Sequence, residues 1–332
     1  MGNFKTTLLA GHEESVVEHG IAVIATGAEE SRPREYLYGD DPRVVTHLEL
    51  DRRFIEEDPA LKEIRSAVFI QCVGSREPER PYCSRVCCTH AIESALHLKK
   101  LNPHMRVYIL YRDIRTYGER EYLYRDARLA GIIFIPFSVD RKPRISQTDG
   151  GLEVVVNDRV LDRDLVIHAD LVSLASAIVP RDEGELSRLF KVPLNEDGFF
   201  VEAHAKLGPS EFATDGVFLC GMNHYPKPID ESVAQALAAA SRAVTLLARK
   251  RVRMSGTVAR IDPLACSECG VCAAICPYSA PSPILDGPFT GKMSVNPVLC
   301  KGCGLCVASC RSGALNLNGF GEDQIMAMIN EM

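Results

Sequence analysis

The chain has 332 residues, of which 46% are hydrophobic and 25% charged, the composition of two or three soluble domains. A formal charge of −6 argues against a general binder of nucleic-acid backbones. Apolar stretches such as Ile132–Val139 are too short to span a bilayer, and Met1–Ala10 lacks a charged-then-apolar secretion signal, so the expected location is the cytoplasm.

In chain order, Ile21–Thr26 reads as a buried strand ending at Gly27, followed by a Pro/Gly/Asp-rich loop over Arg32–Arg43. Ala67–Val73 reads as a second buried strand turning at Gly74-Ser75. Thr89–Lys100 has an amphipathic helical pattern closed by Asn102-Pro103. Arg106–Tyr111 is an expected strand, Glu119–Ala130 a helix stopped by Gly131, and Ile132–Phe137 a strand. Strand, helix, strand, helix, strand predicts a parallel α/β sheet. Leu152–Val156 and Arg159–Leu161 are expected to form a hairpin around Asn157-Asp158, with one or two strands over Leu165–Leu174. Gly216–Leu219 predicts a strand ending at Cys220-Gly221, and Glu231–Lys250 a long Ala-rich helix. Arg253–Thr257 reads as a linker to a different module over Val258–Met332.

Thirteen cysteines are the informative count: eight between Cys266 and Cys310, four between Cys72 and Cys88, and Cys220 alone, which reads as a packing residue. An odd number in a long chain without a secretion signal is a poor disulfide framework. The eight form Cys266-x2-Cys269-x2-Cys272-x3-Cys276-Pro277 and Cys300-x2-Cys303-x2-Cys306-x3-Cys310. Asp262–Cys272 and Asn296–Cys306 repeat at a period of 34, with Gly270 and Gly304 in equivalent places. The doubled run resembles the bacterial two-cluster ferredoxin, in which the fourth cysteine of each run serves the other cluster. That resemblance implies one 4Fe–4S centre on Cys266, Cys269, Cys272 and Cys310, and another on Cys300, Cys303, Cys306 and Cys276. Zinc would call for two CxxC pairs rather than two runs of four. Arg311 replaces the proline that follows the first run and leaves the ligands intact.

Cys72-x10-Cys83-x3-Cys87-Cys88 falls at a strand end, in a loop and at a helix start. A dinucleotide-binding unit carries GxGxxG there and receives a pyrophosphate. This turn has Gly74 and four thiols instead. Adjacent Cys87 and Cys88 suit different corners of a cubane better than one small ion. The helix N-terminus, with Arg76, Arg80 and Arg85, offsets negative charge. Plain buried thiols, a redox disulfide and a zinc site stay open on spacing alone.

Gln71–Cys88 (QCVGSRE…YCSRVCC), Glu18–Thr46 and Gly216–Ala243, together with the ferredoxin tail, resemble the A subunit of heterodisulfide reductase over nearly the whole chain. Members of that family are FAD-containing iron–sulfur proteins, so the resemblance implies Cys72, Cys83, Cys87 and Cys88 as ligands of a third, non-standard 4Fe–4S cluster. It also implies a fold of thioredoxin-reductase-like FAD- and NAD(P)-binding α/β domains followed by an α+β dicluster ferredoxin domain. The corresponding ranges are 1–60 and 176–252 for a partial FAD domain, 61–175 for an inserted cluster-bearing domain, and 253–332 for the ferredoxin.

Ala25-Thr26-Gly27 resembles the ATG element of such flavoproteins, and Gly216–Gly221 with its following helix resembles their second flavin element. The implied FAD contacts are Thr26, Gly27, Gly221, Met222, Lys227, Ser232 and Val233. Met222 stands where those proteins carry an Asp, Lys227 is either a cation beside the isoalloxazine or a solvated lysine, and Ser232 and Val233 would offer helix-start N–H groups. His224 and Tyr225 are pocket-lining candidates. No GxGxxG occurs, and Met1–Phe4 resembles an internal stretch of longer members, so the FAD pocket is expected to be completed by a missing or separate N-terminal segment.

No catalytic residue stands out, because no Ser/His/Asp set or carboxylate pair is present in a recognisable pattern. The resemblance implies one component of an oxidoreductase, active only within a complex and passing electrons by flavin-based bifurcation in anaerobic, methanogenic metabolism. Implied partners are other heterodisulfide-reductase-type subunits, a hydrogenase or formate dehydrogenase module and ferredoxin, in a homodimer inside a larger hetero-oligomer without nucleic acid. The alternatives are an FAD-free wiring subunit, a related complex with a quinone or thioester acceptor, and a gene fragment without function.

Overall fold

The computed structural model describes residues 4–249 and 256–331, the Glu322 side chain excepted. Met1–Asn3, Lys250–Ser255 and Met332 lie outside them, and with them most of the expected linker and the start of the stretch likened to longer relatives. The chain divides into two compact units. One comprises residues 27–181 and 225–231, the other 4–26, 182–224 and 232–331 with the gap just stated.

The first of these units is built on a five-stranded parallel sheet in the order Val44–Thr46, Leu171–Ser176, Ser66–Val73, Arg106–Tyr111 and Ile133–Pro136. The central strand, Ser66–Val73, is buried along its whole length, as a parallel strand covered on both faces must be. Its side chains alternate. Ala67 and Phe69 enter a core with Leu50, Ile92 and Leu98 from helices His47–Ile55 and Cys87–Leu101. Val68 and Ile70 enter the opposite core.

That second core is closed by a three-stranded antiparallel sheet, Arg144–Thr148, Gly151–Asp158 and Arg163–Ala169. Strict alternation along Gly151–Asp158 sends Leu152, Val154 and Val156 inward. The expected hairpin needs correction here. Gly151–Asp158 pairs with Arg163–Ala169, and Arg159–Leu161 is the turn, where Asp158 Oδ1 accepts from the N–H groups of Val160 and Leu161. Of the one or two strands expected over Leu165–Leu174 there are two, Arg163–Ala169 and Leu171–Ser176.

Val44–Thr46 is an edge strand of the parallel sheet, and Thr46 caps helix His47–Ile55 through a reciprocal capping box with Glu49. The helix expected over Glu119–Ala130 is a 3-10 turn, Gly118–Arg120, followed by Glu121–Leu129.

The other unit holds a hairpin (Phe4–Ala10 with Glu13–His19) and a two-stranded parallel sheet (Ala22–Ile24 with Val217–Leu219). Val217 and Leu219 pack with Ile24, Phe200 and Phe212, whereas Phe218 and Cys220 pack with Ala239 and Ala243 of helix Ile229–Leu247. The buried Cys220 thus sits in a packing position.

Its C-terminal part is a pseudo-repeat. Strand Ala259–Ile261 pairs with Leu315–Leu317, and Pro281–Pro283 with Met293–Val295. Short helices Val271–Ile275 and Leu305–Ala308 each start at a left-handed glycine, Gly270 or Gly304. Among the described residues no helix is long and apolar enough to cross a membrane.

Leu98 is fully buried where its helix meets the parallel sheet. Leu98→Ala should destabilise this unit by about 2–5 kcal/mol, seen as a lowered denaturant midpoint of its unfolding transition with an unchanged slope.

Candidate metal and cofactor centres

Cys72, next to last in the central strand, has a positive φ of 62°, opposite an irregularity in the register between Leu174 and Ser176. Gly74, Arg76 and Arg85 also have positive φ. Three of these four positions are not glycine, and such backbone costs about 1–3 kcal/mol per residue unless surrounding structure holds it. Cys83 lies in the loop, and Cys87 and Cys88 occupy the first turn of helix Cys87–Leu101, which starts two residues before the expected Thr89 and has no side-chain cap.

The four sulfurs are neighbours. Burial pushes the Cys72 thiol up to about 11, with the charges of Cys88 and Cys83 adding and that of Arg76 opposing. In the adjacent pair, hydrogen bonding between the two thiols drives Cys87 up and Cys88 down, and Cys72 and Cys83 raise Cys87 further. Donors point at sulfur: Arg85 N–H lies 3.3 Å from Cys83 Sγ, and Arg76 Nη1 3.9 Å from Cys72 Sγ. Asp113 pairs with both Arg76 and Arg115. Arg80 bonds the Gly74 carbonyl instead, and Arg115, which has no signal in the sequence, stands near Cys88. Buried thiols held protonated by desolvation become thiolates when an inorganic cation supplies counter-charge, so the donor set fits a metal core.

The arginine of the cysteine loop is itself bolted down. Arg85 makes a two-pronged ion pair with Glu231, 2.8 Å on each arm, and also reaches Tyr117 and the Pro226 carbonyl. Lys227 belongs to the same 225–231 segment. It is 2% exposed, with Nζ 4.0 Å from the Tyr225 ring centre, so it is not a solvated lysine. A cavity of about 440 Å³ opens beside Cys83, lined by Arg85, Arg115, Tyr82, Tyr117, Tyr225 and Pro226.

In the pseudo-repeat, Cys266, Cys269, Cys272 and Cys310 line one hollow. Cys306 is raised by burial and then by the charges of Cys300, Cys276 and Cys303. The structure therefore brings together three cysteines of each run with the last of the other. Backbone N–H groups approach sulfur here as well: Ala259 and Gly302 to Cys300 at 3.3 and 3.4 Å, and Ala280 to Cys276 at 3.5 Å. Among the described residues no three His, Cys, Asp or Glu side chains are arranged to hold a single metal ion. A four-iron cube asks instead for one thiolate at each corner.

The residues expected to touch FAD fall in both units. Gly27 and Lys227 lie in the unit with the five-stranded sheet. Thr26, Gly221, Met222, Ser232 and Val233 lie in the other. Helix Ile229–Leu247 starts two residues before the expected Glu231, so the N–H groups of both Ser232 and Val233 lie past the free ones of its first turn. Gly221 N–H donates to Gln235 Oε1 at 3.1 Å, and Gln235 Nε2 reaches His224 Nδ1 at 2.8 Å. The other His224 nitrogen meets Glu202 at 2.7 Å. Asn223, which sequence reasoning misses, is 2% exposed and donates Nδ2 to the Ile24 carbonyl at 3.0 Å. Asn223 Oδ1 and Thr26 Oγ1 are buried with no hydrogen-bond partner among the described residues. A buried polar atom left so costs about 1–3 kcal/mol, and both sit where the two parallel strands end, the place where α/β sheets take ligands. That is the feature that fits a flavin.

A parallel α/β unit whose central strand ends in clustered thiols, in one chain with a doubled cysteine repeat, defines an iron–sulfur protein on a nucleotide-binding type of scaffold. Residues 293–316 match the family model "4Fe-4S binding domain". The chain is 38% identical to the iron–sulfur A subunit of the CoB–CoM heterodisulfide reductase of Methanocaldococcus jannaschii, over 96% of this chain and 51% of that protein. It is 35% identical to the A subunit of the H(2)/formate:CoB-CoM heterodisulfide,ferredoxin reductase of Methanococcus maripaludis, over 81% and 43%. Among solved structures it is similar to a thioredoxin reductase of T. acidophilum, with a TM-score of 0.48 and 15% identity, over 75% of this chain and 71% of that one. Over the part it spans, the chain belongs to the family of heterodisulfide reductase A subunits. It covers about half the length of the curated relatives it matches.

Gly302, between Cys300 and Cys303, gives a sharp test of the second set of four cysteines. A Cβ there would clash with the Thr257 carbonyl oxygen, and φ is +65°. Gly302→Ala must displace this ligand loop, and iron should fall by about four per chain on metal analysis.

Proposed function

We propose that the chain is an electron-transfer subunit of a heterodisulfide-reductase-type oxidoreductase complex, holding three 4Fe–4S clusters and contributing to an FAD site. The observation that supports this most is the grouping of twelve of its thirteen cysteines into three sets of four, each drawn together by the fold. Cys72, Cys83, Cys87 and Cys88 would hold the middle cluster. Cys266, Cys269, Cys272 and Cys310 would hold one ferredoxin cluster, and Cys300, Cys303, Cys306 and Cys276 the other. When bound, such clusters supply transfer of single electrons, and FAD supplies exchange between electron pairs and single electrons.

The chain's own residues set the conditions for that chemistry. Arg76, Arg115 and the uncapped helix start place positive charge at the middle thiols, while Arg85 fixes the Cys83 loop to the segment carrying Lys227. The cavity beside Cys83 leaves one side of this centre open, whereas most of the surrounding sulfurs are buried. Thr26, Gly27, Gly221 and Lys227 remain residues proposed to contribute to FAD binding. Cleavage of a disulfide acceptor is assigned to a partner protein, since no nucleophile–base pair is evident here among the described residues.

The domain ranges that go with this reading are a partial FAD domain interrupted by the cluster-bearing parallel sheet, then a dicluster ferredoxin. The relatives' names, which speak of H(2), formate, ferredoxin and the CoB–CoM heterodisulfide, support a hydrogenase or formate dehydrogenase module and ferredoxin as partners, and electron bifurcation as the mode. A homodimer within a larger cytoplasmic assembly completes the proposal.

Anaerobic purification with co-purifying subunits should give about twelve irons per chain, with matching sulfide, and about one FAD. About eight irons would remove the middle cluster, and flavin absent from the intact assembly would leave a wiring subunit. Cys310→Ala should cost about four irons and abolish the centre of Cys266, Cys269 and Cys272, sparing that of Cys300, Cys303 and Cys306. Loss of the latter centre instead, read by Mössbauer or EPR spectroscopy, would refute the crossed assignment.

A further inference from the structure

Two polar atoms at the ends of the parallel strand pair stand apart from their neighbours. Asn223 is almost wholly buried, and its Nδ2 donates across to the Ile24 carbonyl. A carbonyl only accepts, so the amide cannot be turned the other way. This leaves Oδ1 as a fixed acceptor, and it has no donor among the described residues. Thr26 Oγ1, two residues beyond Ile24, is likewise buried without a partner among them. Around them, the Gly221 N–H is taken by Gln235, Gln235 by His224, and His224 by Glu202.

The chemistry of the complementary group follows from the acceptor. An amide oxygen repels phosphate oxygens and attracts O–H or N–H. The end of a parallel strand pair is where α/β sheets take nucleotide-like ligands. Of the parts of a flavin nucleotide, the polyhydroxylated sugar-alcohol chain is rich in neutral O–H donors and the pyrophosphate has none to give. Residue 222, where a carboxylate acceptor would otherwise be expected, is Met.

We infer that Asn223 Oδ1 and Thr26 Oγ1 form a hydroxyl-binding station for the flavin's sugar-alcohol chain, with Asn223 supplying the acceptor that Met222 cannot. Thr26 both accepts and donates, so it can bridge a hydroxyl held by Asn223 to the next one along. This inference deepens the flavin reading above and rests on it.

The test uses the complete complex, stripped of flavin and titrated with FAD while flavin fluorescence is followed. Thr26→Val removes the orphan hydroxyl at almost constant shape, and Asn223→Leu removes the acceptor. Each should weaken FAD binding at least tenfold, with iron per chain and the visible spectrum of the clusters unchanged. Thr26→Val also guards against a folding defect, because it breaks no hydrogen bond among the described residues: without flavin its thermal midpoint should equal or exceed that of the unsubstituted complex. FAD affinity within twofold of the unsubstituted complex for Thr26→Val and for a folded Asn223→Leu would overturn the inference while leaving the flavin reading standing. An unsubstituted complex that takes up no FAD at all would overturn both.

Discussion

Gathering thiols in a protein interior is the constraint on which the rest turns. Burial raises Cys72, and the hydrogen bond with Cys88 together with burial raises Cys87, away from the thiolate form that a metal needs, and neighbouring sulfur charges add to the penalty. The fold answers with backbone more than with bulk. It bends the central strand at a left-handed Cys72, carries left-handed residues through Gly74, Arg76 and Arg85, and starts a helix without a side-chain cap at Cys87. Each device costs stability, and each turns N–H groups or guanidinium charge toward sulfur. A parallel sheet makes that cost tolerable. Phe69, Ile70 and their neighbours on both faces lock the strand that leads into the bend.

The same sheet explains why an arginine so close to the thiols pairs with a distant segment. Arg85 donates its backbone N–H to Cys83 while its side chain grips Glu231 with two hydrogen bonds. A bidentate pair fixes orientation as well as distance, so the position of Cys83 is tied to residues 225–231, including the buried Lys227. The energy of this half-exposed ion pair is modest, and its importance is geometric.

Much of this is legible in the sequence, for identifiable reasons. The core strands of the parallel sheet show themselves as apolar runs, and the ferredoxin repeat as spacing, because both depend on local pattern. The turn at Arg159–Leu161 misleads because Val160 and Leu161 are apolar yet exposed, held in the turn by the Asp158 carboxylate rather than by burial. The edge strand Val44–Thr46 is three residues long and follows a loop, too short for a periodic signal. Its place in the sheet depends on Leu171–Ser176, more than a hundred residues away. Asn223 escapes notice for a similar reason: an isolated Asn in a loop has no local signature, and only the Ile24 carbonyl, from a strand 199 residues earlier, fixes what its amide can offer.

The crossed pairing of the ferredoxin cysteines carries a mechanical consequence. If each run held its own cluster, either half of the repeat could fold alone. With Cys310 lining the hollow of Cys266, Cys269 and Cys272, and Cys276 standing with Cys300, Cys303 and Cys306, neither set of four is complete until both halves have docked. The strand pair Ala259–Ile261 with Leu315–Leu317 joins the two ends of the module and enforces that docking, and the left-handed glycines at 270 and 304 start both short helices in the same way. On the proposed ligand sets, metal binding and folding of this region would be one cooperative event. Two centres so built would be held at a fixed separation, and the electron transfer proposed between them would depend on that separation more than on side-chain chemistry.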